Sequence, residues 1–190
     1  MVVEIVRHLP IICHYKTVEG RSLDAIPLTN PRHIIMVPLR AAVLGTGFSA
    51  KIFQIPYILA LPDHWKLHSI FERRATDTYS VAREHWGNTG VKVVNTLEGV
   101  LGDKDVDVVV VAVKDPQHFE FAKKALEAGK HVILEKPIVA TSAEARELID
   151  IAKAKGLTLA PYHNRRFDGD FLTVQKLLKE GKVRVITSGY

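Results

Sequence analysis

Apolar and polar positions alternate along this chain with two periods, and the switches between them mark the elements. Residues 39–44 (Leu-Arg-Ala-Ala-Val-Leu) form a short, mostly apolar run ending at Gly45, as expected of a buried parallel strand. A helical stretch follows to about Leu61, stopped by Pro62, and Pro56 inside it predicts a kink or a shortened helix. A second strand is expected near Lys66–Phe71, a helix from about Asp77 to Trp86, and a strand at Val91–Val94. Val106–Val113 holds six valines in eight positions, too β-branched for a helix interior. Pro116 then opens a helix that Gly129 closes, the usual start and stop chemistry. A strand at His131–Leu134, a helix at Ser142–Lys155 capped by Thr141 and stopped by Gly156, and a strand at Leu157–Pro161 complete the series.

Strands alternating with helices at this rhythm predict an α/β fold, a doubly wound parallel Rossmann sheet covered on both faces. A further helix near Gly169–Glu180 and a strand at Val183–Thr187 read as the first helix and strand of a truncated C-terminal α/β domain. The expected division is a 1–35 extension of uncertain structure, a 36–162 nucleotide-binding domain, and 163–190 as the start of a substrate domain.

Gly45-Thr46-Gly47-Phe48-Ser49-Ala50 matches G-x-G-x-x-A between a strand and a helix. The first glycine permits the tight turn, the second lets the backbone approach a pyrophosphate, and the small third residue lets helix and strand pack closely. Free amides at the helix start, aided by the helix dipole, then hold the anion. Glu72 lies 22 residues beyond Ala50, where a carboxylate accepts from the ribose hydroxyls of NAD, but Arg73 and Arg74 follow and a guanidinium there grips a 2′-phosphate. The two signals conflict. NADP is slightly favoured over NAD, since an arginine can stack on adenine and hold phosphate while the acid swings outward. Exposed charges at a strand end are the competing reading, stronger for Arg74 than for Arg73.

Glu135-Lys136-Pro137 places a charged pair just past the C-terminal end of the fifth strand, the edge at which open α/β sheets bind ligands. A lysine amine there can shuttle a proton, with Glu135 fixing its orientation and Pro137 open to a cis peptide. A surface salt bridge is the plainer alternative for Lys136.

At these residues the sequence resembles the glucose–fructose oxidoreductase, inositol dehydrogenase and rhizopine catabolism (Gfo/Idh/MocA) family. The likeness runs from about Arg40 to the end, through Val43–Gly47, His118–Leu126, Ala125–Pro137 and Tyr162-His163-Asn164-Arg165-Arg166-Phe167-Asp168. It implies a two-domain NAD(P)-dependent oxidoreductase acting on a sugar, polyol or related alcohol or carbonyl, with a substrate domain that supports homo-oligomers. Lys136 would be the catalytic lysine. Gly45, Thr46, Gly47, Phe48 and Ser49 would line the pyrophosphate, His118 and Glu135 would lie on the nicotinamide side, and Tyr162, Asn164 and Arg165 would border the mouth of the site. Lys114-Asp115-Pro116 departs from the family's usual threonine with proline or histidine after the fourth strand. An aspartate and a histidine that complete the family's catalytic group, on a helix of the second domain, have no counterpart before Tyr190. The alternative is therefore a non-catalytic nucleotide-binding or regulatory module.

Composition narrows the rest. Apolar residues are 47% and charged ones 25%, a globular balance. The single cysteine, Cys13, excludes an internal disulfide and fits a reducing compartment. No run is long enough to span a bilayer, and residues 1–35 mix acids among bases unlike a secretory signal, so the expected location is cytoplasmic with no membrane partner. The net charge of +5 is spread among acids without a basic run, which argues against nucleic acid. The nine histidines show no metal-ligand spacing, and no metal is expected.

Overall fold

The computed structural model describes residues 37–183, and these form one parallel sheet of six strands in the order β3-β2-β1-β4-β5-β6. The strands are β1 (Leu39–Leu44), β2 (Trp65–Phe71), β3 (Lys92–Val94), β4 (Val108–Val111), β5 (His131–Leu134) and β6 (Leu159–Pro161). Crossovers contain α1 (Ile55–Ala60), α2 (Val81–Trp86), α3 (Leu97–Leu101), α4 (His118–Glu127) and α5 (Ser142–Ala154), and α6 (Gly169–Lys179) follows the sheet. The chain order reverses between β1 and β4, so their neighbouring C-terminal ends form the crevice where such sheets take ligands.

Side-chain alternation along the strands divides the core in two. Ala42, Leu44, Val109 and Val111 face α3, α4 and α5 with Phe121, Leu126 and Leu148. Ala41, Val43, Val108 and Val110 face the other layer with Ile55, Ile58 and Trp86. Charge is sorted along the other axis. At the N-terminal ends of the strands, Arg40 bonds Asp107 through Nε at 2.9 Å and Nη2 at 2.8 Å, and Asp103 takes His68 at 3.0 Å and Lys92 at 2.9 Å. Buried Lys130 donates there to the carbonyls of Asp103 and Val106. The C-terminal ends carry polar groups that these ion pairs leave alone.

Several expectations shift. The kink at Pro56 takes the form of a π-turn, Ala50–Gln54, running directly into α1, with the proline in the first turn of α1 where its missing N–H costs least. The helix expected from Asp77 starts at Val81, because Ser80 caps it by accepting from the Arg83 amide. Helix α3 was not expected; five residues are too few for a periodic signal, although Thr96 caps it. Helix α5 opens with the predicted cap, a full capping box between Thr141 and Glu144. The extension over 1–35 and most of the strand expected at Val183–Thr187 lie outside the described residues.

A candidate dinucleotide site at the carboxyl edge of the sheet

Main-chain hydrogen bonds carry the sheet register one residue past each strand and so fix the site's frame. Gly45 N donates to Phe71 O at 3.0 Å, Ala112 N to Leu44 O at 3.1 Å, Glu135 N to Val111 O at 3.1 Å and Tyr162 N to Leu134 O at 2.9 Å. Gly45, Ala112, Glu135 and Tyr162 thus stand in a row along one edge.

The glycine turn after β1 has the backbone that its first glycine permits. Gly45 has φ +108°, and a Cβ there would lie 2.8 Å from the carbonyl oxygen of Ala112. A side chain at Gly47 would meet nothing within 4 Å, so nothing in the described protein demands a glycine there. The cradle is open on the side that a pyrophosphate would approach, and the residues fit that group. Residues 48–60 form a continuous helical run behind the turn, and Ala50 is fully buried beneath it. Phe48 is exposed, its ring edge-on to Phe53 at 5.7 Å.

Glu135 joins the two halves of the site. Its Oε1 accepts from Ser49 Oγ and from Gln54 Nε2 at 2.6 Å, and its Oε2 accepts from the Lys136 amide at 3.0 Å. The carboxylate is 5% exposed, whereas the Lys136 side chain is exposed at the edge. The Lys136–Pro137 peptide is cis. Gln54 escaped the sequence reading, since only tertiary placement brings it to a carboxylate 81 positions away. Tyr162 is buried with no partner for its hydroxyl, and burial, then the charges of Tyr57 and Glu135, push its pKa up to about 12.

Other expected site residues take different company. Glu72 does not swing outward. It is buried at the end of β2 and accepts from Ser80 Oγ at 2.7 Å and from the Val81 and Ala82 amides at 3.0 Å each, so both oxygens serve the start of α2. Burial alone would raise its pKa, but the bonds from Ala82, Ser80 and Val81 and the charge of Arg83 outweigh it and hold the carboxyl below its ordinary value. Arg73 and Arg74 are exposed beside it. His118 is 1% exposed, with Nδ1 2.6 Å from Pro137 O and Nε2 3.1 Å from Val113 O, so its ring nitrogens face main chain rather than the open crevice. Asn164 lies half-buried in a 3₁₀ turn (Asn164–Phe167), and exposed Arg165 pairs with Asp168 at 2.9 Å.

Residues 39–163 match the Gfo/Idh/MocA family, described as an oxidoreductase family with an NAD-binding Rossmann fold. The chain belongs to this family. Among relatives, it is 47% identical over 148 residues to an uncharacterized oxidoreductase of Schizosaccharomyces pombe, covering 78% of this chain and 40% of that protein. It is 35% identical over 150 residues to scyllo-inositol 2-dehydrogenase (NADP(+)) of Bacillus subtilis, covering 79% of this chain and 40% of the relative. A 3-ketoreductase from Actinomadura kijaniata, solved with NADP and TDP-benzene, superposes with a TM-score of 0.70 at 28% identity, covering 77% of this chain and 44% of that one. The chain thus spans about two-fifths of the length of these Gfo/Idh/MocA relatives, the part that holds the Rossmann fold. Among the described residues no helix is long and apolar enough to cross a membrane, and no group of three or more His, Cys, Asp or Glu could hold a metal.

Proposed function

We propose that this domain serves an oxidoreductase that prefers NADP(H) and acts on a secondary alcohol or carbonyl of a sugar or polyol, with residues 163–190 opening the substrate domain. The observation that carries this is the sharing of one buried carboxylate, Glu135, between the phosphate turn and Lys136. Amides of Gly47, Phe48 and Ser49 bind the diphosphate beside Gly45 and Thr46. Arg73 meets the 2′-phosphate. The bound nicotinamide supplies the hydride acceptor or donor. Lys136, fixed at its amide by Glu135, takes the hydroxyl proton when an alcohol is oxidised and returns it when a carbonyl is reduced. Tyr162, Asn164 and Arg165 border the substrate side, and His118 acts behind the nicotinamide edge. The NADP named with the inositol dehydrogenase and the ketoreductase supports this coenzyme, and the substrate named for the former supports the polyol class.

A second reading has its own support: among the described residues, none of α6 is buried. A domain of this kind could bind coenzyme without turnover. Calorimetric titration with NADP⁺ and NAD⁺, followed by coenzyme-dependent assays over a panel of polyols and sugars, separates the two. Binding with turnover that Lys136→Met abolishes supports the enzyme, binding without turnover supports the module, and no heat with any nicotinamide coenzyme ends both.

A further inference from the structure

Among the described residues, the only donors to Glu135 are uncharged: a serine hydroxyl, a glutamine amide at 2.6 Å and a main-chain amide at 3.0 Å. Neutral dipoles stabilise a carboxylate, but they leave its net charge uncancelled. Among the described residues no ion pair joins Glu135 to a cation, and the next residue, Lys136, is exposed. This contrasts with the opposite edge of the sheet, where Asp103 and Asp107 each have cationic partners. A buried carboxylate without a cation is costly, and a protein retains one where some other positive group visits.

We infer that Glu135 sets the balance between oxidised and reduced coenzyme on this domain, its unpaired negative charge favouring the nicotinamide ring in its positively charged, oxidised form. The inference rests on the reading that the nicotinamide end lies beside Lys136. The oxidised ring carries a full positive charge and the reduced ring none, so a nearby fixed charge in a poorly solvated place acts on one form only. By linkage, that difference appears as a ratio of affinities. Gln54 is the positioning residue for this charge. It reaches Oε1 from the helical run behind the phosphate turn and holds the carboxylate at the seam between diphosphate and Lys136.

The test is the pair of dissociation constants for NADP⁺ and NADPH, measured by calorimetry and by reduced-coenzyme fluorescence, on the whole chain and two variants. Glu135→Gln keeps the shape: its oxygen can accept from the Lys136 amide while its NH2 donates to Ser49 Oγ and to the oxygen of a turned Gln54 amide. It is expected to raise the ratio of the oxidised to the reduced dissociation constant about tenfold. Gln54→Met retains the charge and is expected to leave that ratio within about twofold, whatever it does to both affinities together. Equal losses for the two forms in Glu135→Gln overturn the inference while leaving the coenzyme reading intact. Should that variant lack a cooperative melt, the unaltered chain decides: binding NADP⁺ at least as tightly as NADPH supports the inference, and a tenfold preference for NADPH overturns it. An unaltered chain that binds neither form overturns this inference and the coenzyme reading together.

Discussion

Nδ1 of His118 lies 2.6 Å from the carbonyl oxygen of Pro137, tying the first turn of α4 to the turn that carries Lys136. The other ring nitrogen faces Val113 O at 3.1 Å, where the chain leaves β4. One buried ring therefore spans two of the connections that shape the carboxyl edge. The residue read from sequence as a nicotinamide neighbour has both ring nitrogens against main chain.

Replacing His118 with alanine removes a filled, fully buried volume and the ring nitrogens that face two main-chain carbonyls. The expected loss is about 2–4 kcal/mol, combining cavity and unsatisfied-group terms. His118→Gln, which can still donate to one carbonyl, should lose less. Urea denaturation followed by circular dichroism gives both values, and an alanine variant within about 0.5 kcal/mol of the parent would show that the bridge carries no weight.

The two glycines of the phosphate turn should fail in different ways. Gly45→Ala forces a side chain into a left-handed backbone and to 2.8 Å from a buried carbonyl, so it should cost about 2–4 kcal/mol in stability. Gly47→Ala meets no protein atom within 4 Å and should leave stability within about 0.5 kcal/mol. Its methyl instead occupies the approach to the diphosphate, and coenzyme affinity should fall at least about tenfold. Thermal melts with and without NADP⁺ distinguish the two outcomes, and a Gly47→Ala chain that binds as well as the parent would remove the pyrophosphate from this turn.

Local chemistry was legible wherever it was also decisive. The valine run of β4, the glycine turn after β1, the proline and glycine that bracket α4 and the cap of α5 are each written in a few adjacent residues, and each stands within a residue or two of its expected place. What adjacent residues cannot specify is which distant group a side chain will find. Glu72 has the position of a ribose acceptor, but Ser80 and two amides of α2 fold back onto it. Gln54 carries no motif, and its role exists only because β5 delivers Glu135 beside it. The same tertiary demand moved the start of α2 from Asp77 to Val81, where the Ser80 cap and the Glu72 carboxylate both meet its free amides.

Glu72 makes acid stability a readout of that tie. Its pKa is held below the ordinary 4.5 in the folded chain, so its contribution is present in full above that value and is lost as pH falls through the lower, folded one. Unfolding free energy should therefore decline as pH drops from about 5 downward, with Asp103 adding to the same slope because Lys92 and His68 depress it as well. In Glu72→Gln the neutral amide cannot titrate, so stability near neutral pH should fall by about 1–3 kcal/mol and the acid slope should flatten. An unchanged slope in the variant would mean that Glu72 is equally free to ionise in the folded and unfolded chain.

On the proposed function, the choice of coenzyme rests on Arg73 rather than on Glu72. Both Glu72 oxygens already accept from the start of α2, and in the proposed function the exposed guanidinium beside them meets a 2′-phosphate. Arg73→Ala should weaken NADP⁺ binding about tenfold to a hundredfold and leave NAD⁺ affinity within about twofold, since a charge-assisted phosphate contact exists for one coenzyme only. Raising ionic strength should narrow the preference of the parent chain, because an exposed guanidinium is screened. Fluorescence titrations of both coenzymes at two salt concentrations measure each effect. Equal weakening of NAD⁺ and NADP⁺ in Arg73→Ala would place the arginine on the adenine ring, which the two coenzymes share, and would leave the preference to some other group.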